Sequence, residues 1–299
     1  MKVFLTGATG YIGSAIGAAL KRAGHLVTGL SRSAAADGKL RARVVTPVRG
    51  DLMNPASIER AARLADGVIH AAITNDAHAG EADANAVDAI LRALSGSDKP
   101  FVYTGGVWVY GDTGGRVATE FSPLNPPQIV AWRVTGGRSV LDAAGQGVRA
   151  VVIHPAIVYG KGGGLPGMLA QAAREKGAAW YVGDGRNRWP VVHVDDLAEL
   201  YVLALERAPA GSIFIAANGE AVPFRDIARG ASEQAGAGGK TVAWSLEEAR
   251  KMLGLTADAL AMDQQASSER AQRVLGWKPK ARGILEDLRA CTQPVTSHA

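Results

Sequence analysis

Residues 3–13, VFLTGATGYIG, constrain this chain more than any other stretch. An apolar run, Val3-Phe4-Leu5, ends at Thr6, glycines follow at 7, 10 and 13, and an apolar-periodic segment starts at Ile12. This order reads as strand, tight turn, helix. Gly7 admits a turn that a side chain would block, Gly10 lets the backbone approach a pyrophosphate, and Gly13 lets the helix pack closely. The phosphates would sit on the unpaired N–H groups and positive dipole end of that helix. A glycine triplet alone is a weak signal. It gains force after a strand, before a helix, at the start of an α/β-patterned chain. The competing reading is a tight strand-to-helix turn with no ligand.

The first half of the chain repeats this alternation. Helix is predicted over 12–23, strand over 25–30, a weaker strand over 43–49, and helix after Pro55, a favoured first helical residue. The unalternating run 68–72 (VIHAA) reads as a buried strand. Helix over 81–95, strand over 101–104, helix over 128–145 and strand over 148–153 follow. Strands alternating with helices of this length mean a doubly wound parallel α/β sheet. Ligands of such sheets bind beyond the carboxyl ends of the strands, so the residues just after each strand carry the information.

After the second strand stands Ser31-Arg32-Ser33. An acidic residue here would hold a ribose 2′-hydroxyl, whereas an arginine between serines suits a 2′-phosphate and so NADP over NAD. A solvated surface arginine is the plainer alternative. Asp51, followed by Leu52, is placed to accept from an adenine amino group or to serve the start of the next helix. Ala71 and Ala72 are small, as a wall facing a cofactor requires. His70 reads as a satisfied core histidine.

Charge and composition exclude other classes. The net charge of +5 is small for 299 residues and the basic residues are scattered, so nucleic-acid binding is not expected. One cysteine, Cys291, permits no disulfide framework and no metal-ligand spacing, which fits a reducing cytoplasm. The first strand begins at once, so no signal peptide is expected. No apolar run reaches the ~18 residues of a membrane span.

The motifs TGATGYIG, GDL at 50–52, HAA at 70–72, VYG at 109–111, HPAIVYG at 154–160, VHVDDLA at 192–198 and LGWKPK at 275–280 occur in this order. Together they resemble the extended short-chain dehydrogenase/reductases, the group that includes the NAD-dependent epimerase/dehydratase proteins. The resemblance implies a Rossmann-type domain over 1–155 that holds the dinucleotide, with later segments returning to it. A smaller α/β lobe, mostly 156–299, would close over a small-molecule substrate. It implies a homodimer through helices near 81–95 and 128–145. It places cofactor contacts on Gly7, Thr9, Gly10, Tyr11, Ile12, Arg32, Asp51, Leu52, Ala71, Ala72, Thr104, Arg133, His154 and Pro155.

The departures from the family pattern matter more. Its catalytic set is a serine or threonine after the fifth strand and a Tyr-x-x-x-Lys on the next helix. Counting back from Val109-Tyr110-Gly111 puts the serine position on Gly106. Counting back from Val140-Leu141 puts tyrosine and lysine on Ile129 and Arg133. No Tyr-x-x-x-Lys occurs anywhere in the chain. Three readings follow: a relocated acid, a substrate that needs no tyrosine, such as an imine or enone, or a protein that binds NADP(H) without chemistry. Tyr110, Thr104, Tyr103, Tyr159 and His154 all follow strands. Tyr110 leads as donor, with Thr104 beside it, although an aromatic packing under the lobe is the stronger reading of Tyr110. Arg133 can bind a ribose or phosphate but cannot donate a proton near neutral pH, and a solvated helix arginine is the alternative.

The second half reads as the closing lobe. KGGG at 161–164 suggests a lid or a linker, before a helix over 165–176. Asp184-Gly185 suggests a hairpin carrying Arg186 and Arg188 with Trp180 and Trp189, either toward an anionic or ring-bearing ligand or as a charged, solvated hairpin. Asp195 reads as the cap of the helix running to Leu205. Strand over 212–216, helix after Pro223, strand over 241–243, helices over 245–253 and 267–275, and a frayed tail after Leu288 complete the reading. The function expected is an NADP(H)-dependent oxidoreductase acting on a small carbonyl, hydroxyl or imine compound. The alternatives are a nucleotide-sugar epimerase or dehydratase and a non-catalytic NADP(H)-binding regulator.

Overall fold

The computed structural model describes residues 1–74 and 76–290; Cys291 and the rest of the tail lie outside the described residues. The strands are β1 (Lys2–Thr6), β2 (Leu26–Ser31), β3 (Thr46–Arg49), β4 (Gly67–His70), β5 (Pro100–Thr104), β6 (Val117–Ala118) and β7 (Arg149–Pro155). They continue as β8 (Ile157–Tyr159), β9 (Ala179–Val182), β10 (Arg188–His193), β11 (Ser212–Ala216), β12 (Ala221–Pro223), β13 (Thr241–Trp244) and β14 (Gln265–Ala266). The helices are α1 (Tyr11–Arg22), α2 (Ala34–Ala42), α3 (Pro55–Arg63), α4 (Ala79–Leu94), α5 (Trp132–Asp142) and α6 (Gly164–Lys176). After these come α7 (Val194–Arg207), α8 (Phe224–Gln234), α9 (Leu246–Leu253), α10 (Thr256–Ala261), α11 (Glu269–Leu275) and α12 (Ile284–Ala290).

Seven strands form one parallel sheet in the order β11-β7-β5-β4-β1-β2-β3. The apolar runs earn their places by burial: Val3, Phe4, Leu5, Val68, Ile69, Phe101 and Val102 expose no surface. One face packs on α1 and α7, whose Ile16, Leu20, Leu197 and Tyr201 join a single core. The other packs on α3, α4 and α5 through Ile58, Ala86, Ile90 and Val140. The strand order reverses between β1 and β4, the crevice where such sheets take ligands. This is a Rossmann-type doubly wound fold.

Local chemistry sets the boundaries. Ser33 and Asn54 side chains accept from the N–H of Ala36 and Ser57 to start α2 and α3. Ser245 and Glu248 form a reciprocal capping box on α9. The predicted helix over 128–145 is three pieces: a 3₁₀ turn at Gln128–Val130, then α5, then a second 3₁₀ turn at Ala143–Gln146 that ends on left-handed Gly147. α2 escaped the sequence reading because its sequence, AAADGKLRA, has almost no apolar stripe; only Asp37 and Leu40 are buried.

The lobe has a small sheet, β12-β10-β8, and a parallel pair, β9 with β13. Trp189, Phe224, Ile227 and Ile284 fill its core. Three expectations are corrected here. The segment at 184–185 is not a hairpin, because β9 and β10 belong to different sheets. Trp180 stacks on Trp244 at 4.6 Å and Trp189 packs on Phe224, so both indoles build the lobe rather than face a ligand. The cap of α7 is His193, whose Nδ1 accepts from the Asp195 N–H at 3.2 Å; Asp195 lies in the first turn and pairs with Lys161 at 2.5 Å.

Candidate active site

The glycine loop is built as its spacing requires, with one refinement. Gly7 turns at φ +75°, and a Cβ there would stand 2.5 Å from the Ala71 carbonyl oxygen. The loop therefore packs on the backbone just beyond β4, which leaves no room for a side chain at position 7. A Cβ on Gly13 would lie 2.1 Å from the Gly7 oxygen, so Gly13 packs the helix on the loop. A Cβ on Gly10 would have only the Gly7 oxygen near, at 3.2 Å; beyond that the space is open. Gly10 caps α1 with no side-chain hydrogen bond, and the first turn carries no acidic residue. The N–H groups of that turn are left for an anion. Arg43, unmarked in the sequence reading, donates from Nη1 to the carbonyls of Ala8 and Thr9 and brings a cation against the loop.

Beside this loop opens a cleft of about 650 Å³. Tyr11 and Ile12 form one wall and Ala71, Ala72, Ile73 and Thr74, beyond β4, the next. Thr104 to Trp108 follow β5, Ile129 to Arg133 lead into α5, and Pro155 to Val158 join β7 to β8. Arg133 and Asp76 are the charged side chains among the described lining residues. The Tyr11 hydroxyl donates to the Gly160 carbonyl at 2.7 Å. Its ring fills the space where a Cβ on Gly163 would stand, so the glycines of 160–164 let that loop close down on Tyr11. Thr74 Oγ1 is buried in the cleft wall with no hydrogen-bond partner. An orphaned hydroxyl of this kind costs stability unless a ligand or water meets it.

The positions where the family pattern would put its catalytic groups, Gly106, Ile129 and Arg133, all line this cleft. Nothing lies within 4 Å of a Cβ built on Gly106, so the serine's place is empty space. Arg133 donates from Nη1 to the carbonyls of Thr104 at 2.7 Å and Gly105 at 3.3 Å, and its guanidinium lies 4.4 Å from the Trp132 ring. The arginine is thereby fixed across the cleft floor.

Other sequence-marked residues stand elsewhere. Tyr110 packs as an interior aromatic rather than serving as donor in the cleft: it is buried outside the cleft lining, with its hydroxyl 2.9 Å from His154 Nδ1. The 3₁₀ turn Val107–Tyr110 carries it inward while Trp108 faces the cleft. His154 is buried with it, and burial reinforced by Arg133 pushes its pKa down to about 3, so it is a neutral imidazole. Pro155 reaches the cleft and His154 does not. Tyr103 donates to Asp83 at 2.8 Å, and Tyr159 to the Arg282 carbonyl. Arg186 pairs with Asp184, and Arg188 makes a two-pronged bond to Asp263 at 2.7 and 3.0 Å, which corrects the expectation that both meet an anionic ligand. Arg32 is exposed at the end of β2. Asp51 accepts from the Met53 N–H at 2.8 Å, and Leu52 is a core residue packed with Phe4 and Ile58.

The sequence matches the family model described as NAD dependent epimerase/dehydratase family over residues 3–217. The chain belongs to the NAD-dependent epimerase/dehydratase family. A protein of Schizosaccharomyces pombe, described only as uncharacterized, is 38% identical over 96% of this chain and 98% of its own length. The 4-hydroxy-2-methyl-3-oxo-4-farnesyl-3,4-dihydroquinoline-1-oxide ketoreductase of Stigmatella aurantiaca is 29% identical over 76% of this chain and 71% of its own. Among solved structures, a double mutant of a dTDP-glucose 4,6-dehydratase from Streptomyces venezuelae, with NAD bound, has a TM-score of 0.82 over 97% of this chain and 96% of its own. At 20% identity it shows the fold alone. The residues present fit the nicotinamide dinucleotide on which the NAD-dependent epimerase/dehydratase family depends: an open Gly10, an unfilled helix start and an orphaned Thr74 hydroxyl.

Proposed function

We propose that the protein is an NADP(H)-dependent oxidoreductase acting on a small, predominantly apolar carbonyl, hydroxyl or imine compound. The carrying observation is the cleft: the glycine loop's Tyr11 and Ile12 form one wall, Thr104 and Arg133 another, and carbon lines most of the rest. Gly7, Thr9, Gly10, Tyr11 and Ile12 would hold the phosphates, with Arg43 behind the loop. Arg32 would hold the 2′-phosphate, and Asp51 and Leu52 would border the adenine. Ala71, Ala72 and Pro155 would flank the nicotinamide half, and His154 would support Pro155 from the core. When bound, the reduced nicotinamide supplies a hydride. This chain's own residues orient the acceptor: Arg133 fixes the cleft floor, Trp108, Ile129 and Trp132 exclude water, and the Thr104 hydroxyl offers a hydrogen bond.

A nucleotide-sugar substrate finds less support, because Arg186 and Arg188 are engaged away from the cleft. The ketoreductase name of the Stigmatella relative favours carbonyl reduction. The empty serine position and the isoleucine at the tyrosine position favour the second reading, a protein that binds NADP(H) without turnover. Oxidation of NADPH by the purified protein with a panel of aryl ketones, quinones and cyclic imines separates the two. Turnover of any of them supports the enzyme, and tight NADPH binding without turnover supports the binder. A cytoplasmic location and a homodimer through α4 and α5 belong to the same proposal; light scattering tests the dimer.

A further inference from the structure

Tyr201 is a buried phenol that the functional reading above does not use. It sits mid-way along α7, under β5, and exposes no surface. Its hydroxyl lies 2.7 Å from Thr104 Oγ1. Two hydroxyls at this distance share one proton between them, so one donates and the other accepts. Among the described residues no other acceptor is in reach of the Tyr201 hydroxyl. A buried phenol that kept its proton unpaired would incur the full cost of desolvation. The Tyr201 proton is therefore directed at Thr104, and the Thr104 proton is released to point elsewhere. Thr104 lines the cleft, between Tyr11 and Arg133.

We infer that Tyr201 is a positioning residue that makes the Thr104 hydroxyl an obligate hydrogen-bond donor toward the substrate's carbonyl oxygen. This rests on the oxidoreductase reading of the cleft. The arrangement takes up the task left open at Gly106 and Ile129, where no hydroxyl stands. It works through geometry: a hydroxyl that already accepts a hydrogen bond polarises and donates more strongly. Arg133 supports it from beside the pair, because its Nη1 holds the Thr104 carbonyl at 2.7 Å and so fixes a residue that lines the cleft. Burial pushes the Tyr201 pKa up, while Thr104 and Arg133 act to lower it, so the phenol keeps its proton throughout the ordinary pH range.

Two measurements test this. Neutron diffraction from deuterated crystals of the NADP⁺ complex locates the protons directly. The inference expects deuterium from Tyr201 on the line to Thr104 Oγ1 and the Thr104 deuterium aimed into the cleft. A Thr104 deuterium aimed at Tyr201 overturns it, with or without activity. The second measurement is NADPH-dependent reduction of 1-phenyl-1,2-propanedione. Thr104→Val should lower kcat/KM by about a hundredfold, the scale for losing one donor to a developing oxyanion. Thr104→Ser should retain most of it. Tyr201→Phe should lower kcat by about tenfold with little change in KM for NADPH, and should add nothing in the Thr104→Val background. Additive losses in the double variant would mean that Tyr201 acts independently of Thr104, which overturns the inference. Absence of turnover by the unaltered protein with every carbonyl tried would refute the oxidoreductase reading instead, and the neutron result would still decide the direction of the hydrogen bond.

Discussion

Gly7 and Gly10 stand three residues apart in one loop, and the structure assigns them opposite vulnerabilities. Alanine at 7 would hold a left-handed backbone, at about 1–2 kcal/mol. Its Cβ would also sit 2.5, 2.7 and 2.8 Å from the backbone of Ala71 and Ala72, which cannot swing aside as a side chain can. Overpacking of this kind costs about 1–3 kcal/mol, so Gly7→Ala should lose about 2–5 kcal/mol in all. At about 2–4 °C per kcal/mol for a chain of this order, the melting temperature should fall by about 5 °C or more. Gly10 has φ −79°, which any residue adopts, and only one contact, at 3.2 Å. Gly10→Ala should therefore cost less than about 1 kcal/mol of stability. Its methyl would, however, occupy the open space over the start of α1, where the phosphates would lie. A loss of at least tenfold in affinity for NADPH, about 1.4 kcal/mol, is expected. Thermal unfolding and fluorescence titration with NADPH read the two effects separately. Gly10→Ala with unchanged affinity would refute the phosphate-loop reasoning, and Gly7→Ala with an unchanged melting temperature would refute the packing reasoning.

Arg32→Ala should weaken NADP(H) binding by about tenfold or more and NAD(H) binding hardly at all, since one charged hydrogen bond is worth about 1.5–3 kcal/mol; equal losses in parallel titrations would place Arg32 outside the cofactor site. Arg188→Ala should destabilise the lobe by about 1 kcal/mol without changing NADPH affinity, because Arg188 holds Asp263 rather than a ligand. Asp263 has its pKa lowered chiefly by that hydrogen bond. The contribution is thus present at neutral pH and fades as acid titrates the folded carboxylate, which pH-dependent melting of the variant against the parent will show. His154, held at about 3 against an ordinary 6.5, binds fewer protons folded than unfolded between those values. Its share of stability is complete above pH 6.5 and is lost as pH falls toward 3; the acid limb of the melting curve should be shallower in His154→Gln. Tyr110→Phe leaves His154 Nδ1 without its partner and should cost about 1–3 kcal/mol of stability by denaturant titration.

How much of this was legible in the sequence depended on range. The β1–loop–α1 unit could be read because its rules are local: apolar run, glycine spacing, helix start. The parallel sheet followed from alternation. What failed needed contacts far apart in the chain. Trp180 meets Trp244, and Arg188 meets Asp263 some seventy-five residues on, so the two indoles of a segment that reads as a charged aromatic hairpin pack inside the lobe while Asp184 and Arg186 stay at its surface. Tyr110 and Trp108 share one 3₁₀ turn, and no pattern in the sequence told which of them would face the cleft. Tyr201 gave no signal, because in VDDLAELYVLALER it is one more member of an apolar helical stripe. Thr74 lay within reach of sequence reasoning, since it follows the same strand end as Ala71 and Ala72.

The pattern of loss and retention in the cleft is itself informative. A chain that kept only the fold would be free to fill the serine's place, yet Gly106 leaves open space there. It would also be free to let Arg133 drift to solvent, yet the guanidinium is tied to two carbonyls of the cleft floor. Ile129 adds carbon to the wall. On the oxidoreductase proposal, these three features would leave a roomy, apolar cleft with one fixed cation, suited to a substrate less polar than a sugar. Such a carbonyl would carry its developing negative charge near Thr104 and Arg133. In a cleft lined mostly by carbon, a hydroxyl donor and a fixed guanidinium act on that charge with less screening than in solvent. If Gly106→Ser restored a hydroxyl to the cleft and left aryl-ketone reduction no faster, the donor would already be in place. A rise of tenfold or more would show that the open position is a true deficit, and that Thr104 does not perform the task assigned to it here.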